Sequence, residues 1–166
     1  IVKITEAAGV GQGTFYLYFS GKAEIFDELV RDLNHRVRRA MTEGAEQGGN
    51  RIESELLGFR AFFRFTAEHP ALYRIIRQAE FASPETLQFH YDRIVGGYVG
   101  ALGRAMDAGE VERRDPEVLA WALMGIGELV GMRWILWAEQ EDLPPKVAEE
   151  LAAIIRRAIG APEDGA

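Results

Sequence analysis

Apolar residues recur every three or four positions along nearly the whole chain, which is the spacing of helices that bury one face. Segments that alternate with a period of two, as strands do, are scarce. Ser83-Pro84 and Asp115-Pro116 are typical of helix starts. The sequence therefore predicts an all-α protein, with helices over about 22–45, 51–68, 70–79, 84–108, 116–139 and 145–159.

Composition narrows the class of protein. The 166 residues contain no cysteine, which excludes disulfides and thiolate metal sites and favours a cytoplasmic protein. No uninterrupted apolar run reaches the length of a membrane span, so no membrane partner is expected. The net charge of -7 argues against a nucleic-acid partner, but residues 1–41 carry six basic and five acidic side chains. DNA contact by this nearly neutral part therefore remains possible.

Residues 4–22, ITEAAGVGQGTFYLYFSGK, combine two short helical patterns with a glycine-centred turn. Ile4 and Ala8, four apart, would share the buried face of the first helix. Gly9 would supply the left-handed backbone angle that ends this helix, and Val10 would anchor the turn against the core. This is the layout of a helix-turn-helix, whose second helix enters the major groove of DNA.

The second helix of this motif would point Phe15 and Phe19, four apart, inward. Its outer surface would carry an amide, hydroxyls and aromatic side chains, which suit base edges and phosphates. Taken alone, TFYLYF is rich in strand formers and could be a buried strand. Because no second convincing strand is available to pair with it, the helical interpretation is favoured.

AAGV and GTFYLYF, followed by a lysine that opens a helix, resemble the TetR family of bacterial transcription regulators. The resemblance implies nine helices, three in a DNA-binding head and six in a ligand-binding, dimerising body. The family's first helix would precede Ile1, so the head is expected to be N-terminally incomplete, and Gly11 replaces the usual capping serine. The chain would divide into a head with its connector helix, 1–45, and a ligand-binding and dimerisation domain, 46–166. The resemblance assigns operator contacts to Gln12, Gly13, Thr14, Tyr16, Leu17, Tyr18 and Lys22.

Aromatic and thioether side chains of the body are candidates to line a pocket for an apolar or amphipathic small molecule, although most of them are expected to be packed core. Glu128 lies among apolar neighbours, where an unpaired charge is costly. It would pair with Arg133 or with an arginine across a dimer, or orient the polar end of a ligand. The candidate effector-binding residues are Phe59, Phe62, Phe63, Tyr73, Phe81, Tyr91, Tyr98, Trp121, Met124 and Glu128, with Met106 as a further one.

The helix predicted over 116–139 is apolar on most sides, so it would be buried on most sides. Gly127 and Gly131, with Gly125 nearby, would let another helix approach closely. Together with the apolar spacing of the last helix, this predicts an interface surface. The resemblance to the TetR family implies that the last two helices of each subunit pair into a four-helix bundle, and a helix-turn-helix head is normally used in pairs, so a homodimer formed through about 115–159 is expected. The alternative is that both helices only complete the core of a monomer.

These features predict a ligand-responsive DNA-binding transcriptional regulator, expected to be a repressor that leaves its operator DNA when a small hydrophobic effector binds. The alternative is a helical small-molecule binding protein without a DNA role. His35, His69 and His90 are widely separated and lack metal-ligand spacing. No nucleophile or acid–base constellation is recognisable, so no metal, cofactor or enzyme activity is expected.

Overall fold

A computed structural model describes residues 1–160, and within them the regular structure is helical. The all-α prediction is confirmed, and the strand alternative for TFYLYF is wrong, because this segment forms most of a helix. Residues 161–166 of the predicted second domain lie outside the described part. The helices are α1 (Val2–Ala8), α2 (Gln12–Tyr18), α3 (Lys22–Ala45), α4 (Arg51–Glu68), α5 (Pro70–Ala82), α6 (Pro84–Asp107), α7 (Pro116–Val130) and α8 (Pro145–Ile159).

The predicted helix starts at the two prolines are observed, but only one has a cap hydrogen bond from its side chain. The Asp115 carboxylate accepts hydrogen bonds from the backbone N–H groups of Glu117 and Val118. Ser83 occupies the predicted N-cap position, but its hydroxyl donates to the Thr86 hydroxyl, 2.9 Å away, and not to the helix backbone. Thr86 donates in turn to Asp27 on α3, at 2.8 Å, so this serine contributes to a tie between α6 and α3.

The main core lies where α4, α6, α7 and α8 meet, around the fully buried side chains of Leu102, Leu123 and Ile155. Gly127 and Gly131 belong to this packing. A Cβ on Gly127 would lie 3.0 Å from the Phe59 ring, and one on Gly131 would meet the Phe62 and Phe63 rings of α4 at 3.4 to 3.5 Å. The prediction that these two glycines let another helix approach closely is therefore confirmed, and the helix that approaches is α4 of the same chain.

The predicted helix over 116–139 is interrupted. Its α-helical part ends at Val130, and a π-helical turn, Gly131–Leu136, continues it. The Trp137 N–H donates to the Met132 carbonyl, five residues back, at 3.0 Å. The wider turn places Ile135 in the core, at 2% exposure.

One helical stretch among residues 1–160, Pro116–Leu136, is long and apolar enough to cross a membrane by length and composition, although Glu117, Glu128 and Arg133 interrupt its apolar residues. A third of its most apolar window is buried inside the structure. Its buried side belongs to the core, and its other side exposes Val118, Trp121 and Leu129. Core helices of globular proteins meet the same criterion, so the stretch is weak evidence for a membrane span.

Candidate DNA-reading head and effector cavity

The turn between α1 and α2 has the predicted backbone. Gly9 adopts φ 67°, in the left-handed region, and its N–H donates to the Glu6 carbonyl at 3.1 Å. The Val10 N–H donates to the Thr5 carbonyl at 3.0 Å, which completes the end of α1. Gly11 precedes α2 and offers no side-chain hydrogen bond to it. The two helices of the motif therefore meet at a glycine turn.

The inward face of α1 differs from the predicted one. Ile4 and Val10 are 36% and 44% exposed, and Ala8 is also exposed, so their predicted burial is wrong. Thr5 is the buried residue of this helix. Its hydroxyl donates to the Val2 carbonyl at 2.9 Å, so a polar side chain can face inward without leaving an unpaired group.

The second motif helix, α2, has the predicted sides. Phe15 is buried and Phe19 half-buried, with their ring centroids 5.4 Å apart. Leu17 is 81% exposed, so α2 presents side chains to solvent opposite this pair. DNA contact by these residues stays a prediction. All seven predicted contact residues are exposed, six on α2 and one at the start of α3: Gln12, Gly13, Thr14, Tyr16, Leu17, Tyr18 and Lys22.

A hydrogen bond fixes the joint between the head and the long connector helix α3, which begins at Lys22. The Ser20 N–H donates to the Glu24 carboxylate at 2.6 Å, and this bond lowers the pKa of Glu24. The first turn of α3 therefore holds the backbone that leaves α2.

A cavity of about 90 Å³ lies among α3, α4, α5, α6 and α7, and its wall is mostly apolar and aromatic. Three residues of α3, Leu33, Val37 and Met41, form one side of it, so the connector helix is also a cavity wall. Seven of the predicted effector-binding residues line the cavity: Phe59, Phe62, Tyr73, Tyr91, Tyr98, Met124 and Glu128.

Four other candidates lie elsewhere, so a cavity position is wrong for them. Phe63 and Met106 belong to the main core, at 2% and 6% exposure. Phe81 is 87% exposed on α5. Trp121 is 43% exposed, and its ring touches the cavity wall only indirectly, with its centroid 5.9 Å from that of Tyr91. Residue type alone cannot separate these positions, because the direction of each helix decides which aromatic ring faces which neighbour.

Glu128 is held at the cavity wall by neutral donors. The Tyr91 hydroxyl donates to its Oε2 at 3.0 Å, and the Tyr73 hydroxyl donates to its Oε1 at 3.3 Å. Burial and the nearby carboxylate raise the pKa of both phenols, so they stay protonated and able to donate. The Nη1 atom of Arg77 on α5 lies 3.7 Å from Oε1 of Glu128. The predicted Arg133 pairing is wrong, because that guanidinium lies over the Trp134 ring, 5.6 Å from its centroid.

Sequence reasoning missed His90, which is buried at the cavity wall. The Asn34 amide on α3 donates to the His90 carbonyl at 2.9 Å and to its Nδ1 at 3.2 Å. Arg38 Nε donates to the Asn34 oxygen at 3.0 Å, which fixes the orientation of the amide. Burial lowers the pKa of His90 to about 4, so the imidazole is neutral at pH 7. Its position four residues before Ile94, on the apolar side of α6, was the available signal.

His69, at the end of α4, closes another part of the wall. Its ring stacks on Phe65 at 4.5 Å, and its Nε2 lies 2.6 Å from the Arg36 guanidinium of α3. Within residues 1–160, no group of three or more His, Asp or Glu side chains is placed to hold a metal ion. The cavity wall therefore combines aromatic side chains with one carboxylate, that of Glu128.

The first 29 residues, which form α1, α2 and the start of α3, match the family described as bacterial regulatory proteins, tetR family. The head of this chain is a TetR-family head. The HTH-type transcriptional regulator YhgD of Bacillus subtilis is 22% identical over 156 residues, which cover 92% of this chain and 79% of that protein. YdgC of the same organism, also an HTH-type transcriptional regulator, is 36% identical over 97 residues, 55% of this chain and 48% of its own.

The fold is also that of this family. A TetR family transcription regulator from Marinobacter aquaeolei VT8 superimposes with a TM-score of 0.76 at 19% identity, covering 96% of this chain and 84% of that one. Three observations indicate a DNA-binding regulator: the family match of the head, the related regulators and the exposed outer side of α2. The protein is a DNA-binding transcriptional regulator of the helix-turn-helix type.

Proposed function

We propose that the protein is a ligand-responsive repressor whose operator affinity falls when a small hydrophobic effector enters the cavity. The observation that carries this proposal is the double role of α3. The helix begins at the DNA-reading head, and its residues Leu33, Val37 and Met41 line the cavity. Any ligand in the cavity therefore touches the element that positions the head.

Operator recognition is assigned to the outer side of α2. Gln12 and Thr14 can bond base edges and phosphates, and Tyr16 and Tyr18 add hydroxyls and apolar ring surface. The exposed Lys22 ammonium suits a phosphate. The acidic charge of the chain is concentrated in the body, after residue 41, so the head can approach DNA with less repulsion.

The protein is proposed to act as a homodimer formed through about 115–159. The exposed side of α7 carries Val118, Trp121 and Leu129 at 67%, 43% and 60% exposure, and α8 adds Ile154 at 51%. Gly125, with open space above it, lies on the same side. A run of exposed apolar side chains of this kind favours a protein interface, and two heads fit the two half-sites of an operator.

These roles require no catalysis, metal or cofactor, and they place the protein in the cytoplasm with the DNA it would regulate. The alternative function is a helical small-molecule binding protein without a DNA role. The cavity alone would suit both functions, so DNA affinity decides between them.

The test is fluorescence anisotropy of the full-length protein on an operator selected from a random-sequence duplex library. We expect Tyr16→Ala to weaken binding at least about tenfold, and added salt to weaken it further as phosphate contacts are lost. Phe81→Ala is the matched control, because it removes an exposed aromatic ring outside the head and should leave affinity unchanged. Tight ligand binding with no duplex selected at any salt concentration would instead support the alternative.

A further inference from the structure

The charge of the cavity wall is the starting point. Of the described residues that line the cavity, Glu128 is the one acidic residue, and none of them is Lys or Arg. Its neighbours on the wall include Met124, Leu123 and the ring of Phe59. A single carboxylate in such surroundings attracts a positive charge more strongly than the same group in water does.

The partners of Glu128 leave this charge only partly compensated. The two tyrosine hydroxyls that bond it are neutral donors, so they hold the carboxylate in place without cancelling its charge. Arg77 lies at 3.7 Å, outside the cavity wall, and its side chain is 56% exposed. An ion pair at this distance with an exposed arginine is weakened by water and salt.

The other titratable groups of the wall supply no compensating positive charge. Burial lowers the pKa of His90 to about 4, so this ring is uncharged at neutral pH. Burial raises the pKa of Tyr98 to about 12, so its phenol is uncharged as well. The His69 ring Nε2 lies 2.6 Å from the Arg36 guanidinium, which can only donate, so this nitrogen accepts the hydrogen bond. The wall therefore has a net negative character at pH 7.

We propose that the effector of this cavity is an organic cation, an amine or quaternary ammonium on a small aryl or alkyl body, whose charged group lies against Glu128. The inference rests on the proposed function and names the ligand class of the same site. The rings of Tyr73 and Tyr91 stand beside the carboxylate and can also attract a cation through their faces. Carboxylic acids of the same shape would be repelled.

The experiment compares three probes with one apolar body: 4-phenylbutylamine, 4-phenylbutanol and 4-phenylbutanoate. Calorimetric titration of the wild-type protein at pH 7 should show the amine binding at least about tenfold more tightly than the alcohol, with the acid weakest. In Glu128→Gln, the amine and the alcohol should bind within about twofold of each other, because the amide keeps the shape but lacks the charge.

A further variant separates the cavity carboxylate from the overall charge of the protein. Glu117→Gln removes the same charge from an exposed position on α7 and should leave the amine preference unchanged. Equal loss of the preference in Glu117→Gln and Glu128→Gln would show that the preference does not come from the carboxylate in the cavity and would overturn the inference.

The inference and the proposed function fail differently. If the amine and the alcohol bind the wild-type protein equally well, the cation inference is wrong while the effector cavity stands. If an amine binds but leaves operator anisotropy unchanged, the cation site stands and the proposed repressor function is wrong. If no probe binds, both the cavity's role and its ligand class are overturned.

Discussion

The buried imidazole of His90 makes folding stability depend on pH in a direction that the structure fixes. The unfolded chain takes up a proton near the ordinary histidine pKa of 6.5, whereas burial lowers the pKa of His90 to about 4 in the folded protein. Between these values the unfolded state binds a proton and the folded state does not. Acidification through this window therefore favours unfolding, and the free energy of unfolding lost in this way is regained above pH 6.5.

The size of this effect follows from the shift. Lowering the pH from 7 to 5 should remove about 2 kcal/mol of unfolding free energy through His90, since each pH unit inside the window is worth ~1.4 kcal/mol. Protonation at Nδ1 would also place a proton between the ring and the Asn34 amide, which donates to that nitrogen from 3.2 Å. The folded protein therefore resists the proton through both burial and lost hydrogen bonding.

Urea unfolding at pH 7, 6 and 5, at one protein concentration, measures the effect. His90→Gln is the matched variant, because it removes the titrating ring while keeping a polar side chain beside Asn34. Other acidic and basic groups titrate in both proteins, so the loss of stability from pH 7 to pH 5 should be about 2 kcal/mol smaller in the variant. Equal losses in the two proteins would refute the assignment, as would a ring titration of His90 near pH 6.5 by NMR.

Four further substitutions test the packing, the interface and a cap. Gly127→Ala should destabilise the fold and weaken probe binding, because the added Cβ would lie 3.0 Å from the Phe59 ring. Gly125→Ala has open space for its Cβ and should raise the free energy of unfolding by about 0.5–1 kcal/mol. Thermal unfolding measures both variants. Leu129→Glu should shift the mass in analytical ultracentrifugation from dimer to monomer, and an unchanged mass would count against the α7 interface. Asp115→Ala should cost about 1 kcal/mol in urea unfolding, because the N–H groups of Glu117 and Val118 lose their acceptor, and a neutral result would show that water replaces it.

The sequence predicted the elements of this fold well because the relevant physics is local. Helical periodicity, proline at a first turn and the left-handed Gly9 depend on neighbours within a few residues. The outward side of α2 followed in the same way from Phe15 and Phe19, which are four apart. The position of the break in α7 did not follow, because no local pattern marks the π turn, which begins at Gly131, where the chain packs against rings of α4.

The site was predictable only in part because it depends on distant contacts. Seven of the ten candidate effector-binding residues line the cavity. Phe81 was chosen for the same reason, its aromatic side chain, but it lies on the surface. The charged partner of Glu128 is Arg77 of α5, 51 positions earlier, and not Arg133 in the next turn. His90 belongs to no motif, and its contact with Asn34 spans 56 positions, so only the packed helices reveal this contact.

In the proposed function, α3 connects the cavity to the head, and the length of this helix turns a small tilt into a larger displacement of the head. Two polar ties hold this helix against α6: Asn34 bonds His90 beside the cavity, and Asp27 accepts from Thr86 nearer the head. From Asn34 to Lys22 the helix extends about 18 Å at its rise of ~1.5 Å per residue, so a tilt of about 5° moves the head by roughly 1.6 Å. In a symmetric dimer both heads move, and the change of about 3 Å is a quarter of the major-groove width of ~12 Å. A ligand that repositions α3 slightly can therefore misplace both reading helices while each head stays folded.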